Sequence, residues 1–488
     1  MKRALLALLF ALPLVAQEPT ATTADTYPAT PPAPLAPREA TIPQPSEKTL
    51  ANGLRVIVVE KHSLPLVAAR LLVKTGGAAD PASRAGLASL TAGVLTKGTK
   101  TRSAEEIARG VESLGATLES DATWDSSLID VSMMAPNLAK TMEYVADVAR
   151  NATFAKDELE RERAQAIDSL QVELSEPRTV ANIVASRLVF GTSAYGHNLS
   201  GTPASLGRIT RDDLVQFHKH YYRPDNAVLL FAGDVRPSDA FALAEKLFGS
   251  WSRGSGAPPS AATKFAPQAP RAVVIDMPAA GQAAVVLARP GIRRVDPQYM
   301  PAAVLNSILG GGFSSRLNQE IRIKRGLSYG AGSSFEARAD VGPFTARAET
   351  KNESAAEVAG LIGGELSRLA TTDVEAGELT PRKAALIGDF AESLETTRGL
   401  VNRLGALARY GLPLADINRY IGGVQAVTAQ DVRKFANASL AGSSTLVIVG
   451  DAKQFIEPLR AQTKDVEVIP LAELDLDSPT LRVRKKKD

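Results

Sequence analysis

Apolar residues along this chain follow two rhythms. Short runs rich in β-branched residues predict strands: RVIVVE at Arg55–Glu60, RLLVKTGG from Arg70, and AVVLARPG ending at Gly291. Asn52-Gly53 ahead of the first run supplies a hairpin turn. Other stretches space their apolar residues at helical intervals. SAEEIARGVESLGATLES is one, closed by Gly115. GLASLTAGVLTKGT, Gly86 to Thr99, predicts a short helix that breaks at Lys97-Gly98. It carries no charge, histidine or aromatic before the break, and Ser89 and Gly93 sit one turn apart on one face.

The pattern repeats. ITRDDLVQF, ending at Phe217, recurs as VTAQDVRKF, ending at Phe435. NAVLLFAGD, ending at Asp234, recurs as STLVIVGD, ending at Asp451, and LRVIVVE near Val56 corresponds to RAVVIDMP near Val273. A shared offset of about 217 residues across unrelated local patterns marks two copies of one domain. The threonine of each Thr-x-x-Asp group, Thr210 and Thr428, predicts a helix N-cap. Segregated helices and strands indicate an α+β class, two homologous α+β sandwiches joined by a linker. The boundaries expected are 48–252 for the first domain, 253–270 for the Gly/Pro/Ser/Ala-rich linker, 271–462 for the second domain and 463–488 for a tail.

Length and composition narrow the class further. At 488 residues one hydrophobic core is too few, and 44% hydrophobic with 22% charged residues describes ordinary globular material. A net charge of +3, with no basic stripe interleaved with aromatics, argues against a nucleic-acid binder. The basic run RVRKKKD at the C-terminus reads as solvated tail. Absence of cysteine excludes disulfides, thiolate metal sites and cysteine nucleophiles. MKRALLALLFALPLVAQ has the form of a secretory signal peptide cleaved after Ala16, which implies a periplasmic location. Residues 17–47, rich in Pro, Thr and Ala, predict an extended leader, and no later stretch is apolar enough to span a membrane.

Candidate chemistry is sparse. Histidine occurs only at 62, 197, 218 and 220, and His218 and His220 are two apart in a predicted helix, so they cannot share a metal from one helical face. GLSYG, Gly326 to Gly330, matches a nucleophile elbow in letters alone. Helix-like sequence precedes Ser328, strand-like sequence follows, and no histidine lies downstream. The cluster Gly310-Gly311-Gly312 lacks the Gly-Lys-Ser/Thr ending of a phosphate loop.

Taken together, GLASLTAGVLTKGTKTRSAEEI, GGGFSSRLNQEIRIKRGLSYG, YYRPDN and the Gly-Asp strand ends resemble the insulinase-like (pitrilysin) zinc peptidases, in the two-domain form related to mitochondrial processing peptidase. The resemblance implies an H-x-x-E-H helix with two zinc-binding histidines and a general-base glutamate. Ser89, Ala92 and Gly93 stand at those positions, and Ser169 stands where a third ligand, a glutamate, is implied, with Asp168 one residue off. The resemblance further implies an arginine and a tyrosine seven apart that grip substrate backbone; Arg322 and Tyr329 match them, just after Gly310, Gly311 and Gly312. The expectation is a non-catalytic, substrate-binding subunit of a heterodimeric periplasmic zinc endopeptidase acting on peptides or unfolded segments. It would bind no metal or cofactor itself, and zinc would reside in a homologous zinc-motif partner. The alternative is a non-enzymatic peptide-binding or scaffold protein on the same fold.

Overall fold

The computed structural model describes residues 44–256 and 264–483. The signal-peptide reading, most of the leader and the last basic residues lie outside them. Among the described residues twelve strands form two six-stranded sheets. The first contains β1 (Ser46–Thr49), β2 (Arg55–Glu60), β3 (Leu66–Val73), β4 (Thr117–Ala122), β5 (Ser127–Met134) and β6 (Ala227–Gly233), in the order β1-β2-β6-β3-β5-β4. The second contains β7 (Ala272–Asp276), β8 (Ala283–Pro290), β9 (Ala331–Phe335), β10 (Pro343–Thr350), β11 (Thr445–Gly450) and β12 (Val466–Pro470), in the order β12-β7-β11-β8-β10-β9.

The repeat seen in the sequence is a repeat of topology. β2 runs parallel to β6 and β7 parallel to β11, while β3 and β8 lie antiparallel beside them. Only the outermost strand differs. β1 arrives from the N-terminal side and pairs antiparallel with β2, whereas β12 arrives from the C-terminal side and pairs parallel with β7. Thr210 and Thr428 both close capping boxes, each accepting from the backbone N–H three residues on and so satisfying an orphan donor.

Both faces of each sheet are covered, which explains why the strands read as continuous apolar runs rather than alternating ones. Val56, Val58, Leu71 and Phe231 face helices of their own half, among them Leu87–Leu95, Lys156–Glu173 and Arg211–Tyr221. In the second sheet Val274, Val285 and Ile448 do the same against Tyr299–Leu309 and Ala355–Thr371. The opposite faces are covered crosswise. Ile57, Leu72, Val228 and Leu230 of the first sheet pack on Leu400, Leu404 and Leu407 of helix Thr397–Arg409, from the second half. Val273, Val286 and Val447 of the second sheet pack on Val184 and Leu188 of helix Pro177–Phe190, from the first half. Two similar α+β units are present, but each lends a helix to the other's core.

Polar contacts tie the exchange together. Asp125, in the β4–β5 turn, accepts from the Tyr195 hydroxyl at 2.6 Å, the Tyr410 hydroxyl at 3.1 Å and the Ala339 N–H at 2.9 Å. Burial pushes the Tyr410 hydroxyl up to about 12, so it remains a donor. Beneath helix Thr397–Arg409, the cross-strand pair Arg70–Asp130 forms two hydrogen bonds of 2.5 and 2.8 Å.

The segment expected to be a tail from residue 463 is part of the fold through Val483. β12 completes the second sheet, Leu481 is buried against Val273 and Ile275, and Arg187 and Thr202 of the first half bond Leu476 and Asp477. Its apolar residues Val466, Val468, Ile469 and Leu481 pack against that core, which a solvated tail would not.

Candidate functional site

The Leu87–Leu95 helix, where the resemblance implies a zinc motif, is built without acidic or basic side chains of its own. Gly86 at its N-cap has φ 92°, a left-handed conformation that favours glycine. Asp80 caps the helix from outside, its two carboxylate oxygens accepting from Gly86 and Ala88 N–H at 2.9 Å each. Burial pushes that carboxyl well above its usual range, against the pull of the amide bonds. Ser89 donates to the Leu199 carbonyl at 3.0 Å, and Ala92 is fully buried in the core. Gly93 faces the Lys156–Glu173 helix so closely that a Cβ there would lie 2.7 Å from Glu162 Oε1. Glu162 in turn pairs with Lys97 at 3.7 Å. Ser169 and Asp168 are exposed on that second helix.

Zinc is held by imidazole nitrogen, thiolate sulfur or carboxylate oxygen. Ser89, Ala92, Gly93 and Ser169 offer two hydroxyls, a methyl and a hydrogen, and one of those hydroxyls already donates to a backbone carbonyl. The donor set does not fit zinc. Among the described residues no group of three His, Asp or Glu side chains gathers elsewhere either. Asp80 and Glu162, the carboxylates that shape this helix, escape sequence reading. Asp80 stands six residues before its partner Gly86, too far for a local capping pattern, and Glu162 lies in ERER among similar side chains.

The other sequence-level candidates resolve plainly. His218 is half-buried, its Nε2 against the Ala149 carbonyl at 2.9 Å and its ring against Phe154 and Tyr222. His197 lies between the Asn198 and Gly77 carbonyls, and His62 lies between Asp234 and Glu60 at the surface. Ser328 sits in a tight turn, bonding Gly330, after the Asn318–Ile323 helix and before β9, the reverse of a nucleophile elbow.

The second candidate region spans Gly310 to Gly330. Helix Tyr299–Leu309 ends at Gly310, where a Cβ would come within 2.2 Å of the Ser333 nitrogen on β9. Gly311 is pressed against Ser307 and Asn306, whereas Gly312 has open space. Asn318 fastens the loop by donating to the Gly312 carbonyl at 3.1 Å and accepting from Ala331 N–H at 3.0 Å. The Asn318–Ile323 segment is a π-helix, a wider turn that recurs at functional sites. It carries Arg322, half-buried, whose guanidinium carbon lies 4.7 Å from the centre of the Phe313 ring. Tyr329 follows on the Ser328–Gly330 turn and is 88% exposed.

Charge in this segment is distributed unevenly. Arg316 pairs with Glu378 at 2.6 Å, and Lys324 and Arg325 both pair with Glu320 at 2.9 and 2.5 Å. Those two cations hold the Glu320 carboxyl below its usual range. Arg322 alone of these cations has no carboxylate partner among the described residues. An unpaired guanidinium and an exposed phenol offer donors for a carbonyl or oxyanion. On the first half, a groove of about 820 Å³ runs beside β4, lined by Lys97, Leu118, Glu119 and Glu158. β4 ends its sheet with one side unpaired.

The fold is shared with solved structures of known type. A peptidase M16 inactive domain from Pseudomonas fluorescens superposes with a TM-score of 0.77 at 29% identity, covering 83% of this chain and 98% of that one. A protease from Helicobacter pylori shares the fold with a TM-score of 0.81 at 22% identity, covering 84% of this chain and all of the other. By sequence, residues 55–201 match the insulinase (peptidase family M16) domain and residues 208–386 the peptidase M16 inactive domain. An uncharacterized zinc protease of Mycobacterium tuberculosis is 29% identical over 89% of this chain and 98% of its own length. One of Streptomyces coelicolor is 26% identical over 83% and 89%. The chain belongs to the insulinase family of peptidases, M16. At the positions where the resemblance implies the zinc motif, Ser89, Ala92 and Gly93 offer no imidazole or carboxylate.

Proposed function

We propose that this protein is the non-catalytic, substrate-holding subunit of a two-chain periplasmic zinc endopeptidase. The observation that carries the reading is the division within one chain. The H-x-x-E-H positions hold no ligand, while Arg322 is left without an ion pair and Tyr329 stands out into solvent. A homologous chain with an intact motif would supply zinc and the general base; this chain would supply donors to the peptide. An extended substrate suits the open edge of β4, since main-chain hydrogen bonds can add a strand there. Arg322 and Tyr329 would then hold the scissile carbonyl as negative charge develops on its oxygen.

The experiment is reconstitution. Purified alone and dialysed, the protein is expected to hold well under one zinc per chain and to cleave nothing. Mixed at equimolar ratio with the zinc-motif homologue of the same organism, it is expected to elute as one species with it and degrade β-casein. Tyr329→Phe and Arg322→Lys are expected to lower turnover of the mixture by about 10²–10³, the usual cost of one preorganised oxyanion donor. Assembly and zinc content should be unaffected. A mixture no faster than the partner alone would favour the scaffold alternative.

A further inference from the structure

The least expected side chain near Arg322 is Phe313. It directly follows the glycine cluster, is 62% exposed, and belongs to neither hydrophobic core. A large aromatic left in water on a surface loop costs burial it could have had. The loop that carries it is not loose. Gly310 and Gly311 approach β9 and the preceding helix too closely for any side chain, Asn318 ties the Gly312 carbonyl, and Ser333 bonds Asn306 at 2.8 Å. Phe313 is thus held outward by fixed backbone, and the π-helix brings Arg322 to it, guanidinium carbon 4.7 Å from the ring centre.

From this arrangement we infer that Phe313 is a positioning residue for Arg322, standing where a carboxylate stands for the neighbouring cations. An arginine held by a carboxylate spends its fork on that partner. One held over an aromatic face is fixed by the ring's negative quadrupole, with its N–H groups left for a ligand. Arg316, Lys324 and Arg325 are held the first way and Arg322 the second. The inference rests on the reading that Arg322 grips the substrate carbonyl, and adds how a surface arginine is kept ordered without being neutralised. The ligand so favoured is a peptide carbonyl, a planar acceptor that meets the exposed edge of the guanidinium.

The test is a double-mutant cycle on the reconstituted mixture, read as kcat and KM on β-casein. Phe313→Leu, similar in bulk but without a ring face, is expected to lower kcat about two- to five-fold, the range given by an exposed cation–π contact, with KM little changed. Phe313→Tyr, which keeps the face, is expected to restore kcat. In an Arg322→Ala background, Phe313→Leu is expected to do nothing further, because its effect runs through the guanidinium. Equal kcat for Phe313→Leu and the parent would overturn the inference. So would an undiminished loss in the Arg322→Ala background, which would make Phe313 a direct substrate contact. If Arg322→Ala alone leaves kcat unchanged, the substrate-gripping reading itself fails, and this inference with it.

Discussion

Single side chains in this protein carry their environment in their titration. His218 is half-buried against Phe154 and Tyr222, and the desolvation this brings pushes its pKa below 6.5; the same cause acts on the buried His197. Each stays neutral in the fold while the unfolded chain takes up a proton near pH 6.5. The unfolded state therefore binds more protons in that window, and stability is lost as pH falls below about 6.5. His62 has the opposite sign. Its hydrogen bonds to Asp234 and Glu60 raise its pKa, so its contribution is present below 6.5 and fades as pH rises through the raised value. Thermal melts should accordingly show a midpoint that drops on mild acidification, and His218→Gln should flatten the drop. An unaltered slope in that variant would place the acid sensitivity elsewhere. At this scale the sequence was partly legible. The two-residue spacing of His218 and His220 keeps them from sharing a metal on one helical face, and the seven-residue interval of Arg322 and Tyr329 is visible in letters. That Arg322 is the unpaired cation is not, because Glu320 could have paired with any of its neighbours.

Between residue and molecule, the informative elements are the two exchanged helices. Leu404 is 1% exposed within helix Thr397–Arg409, yet the surface it covers belongs to β3 and β6. Leu404→Ala should therefore cost about 2–5 kcal/mol, as truncations of buried leucine do. Its loosening should appear in the first half: amides of Leu72 and Leu230 are expected to exchange faster with solvent than in the parent. Faster exchange confined to the second half would contradict the crosswise packing. The strands were readable because continuous apolar runs signal burial on both faces, and the capping threonines because Thr-x-x-Asp is local chemistry. Crosswise packing was not readable. An amphipathic helix shows that one face is buried, without saying which of two similar sheets receives it. β12 was missed for a related reason: a parallel edge strand takes its pairing from a strand nearly two hundred residues earlier, so nothing nearby in sequence announces it.

For the molecule as a whole, the linker joins two units that cannot complete their cores separately. Fragments 44–256 and 264–483, produced alone, would each leave one sheet face bare and one helix without its sheet. Expressed singly they should aggregate or bind a hydrophobic dye; expressed together they should recover one cooperative melt. A soluble, cooperatively melting single fragment would show that the exchange is dispensable. The same arrangement sets a timetable. The first sheet is complete in sequence at Gly233, but the helix that closes its inner face begins only at Thr397. A chain that emerges N-terminus first, from a ribosome or an export channel, must deliver that whole stretch before the cover arrives. Until then an apolar sheet face waits without its cover. The newborn N-terminal half is thus committed to staying unfinished, and a natural client for holdase chaperones, until nearly the whole chain has been made.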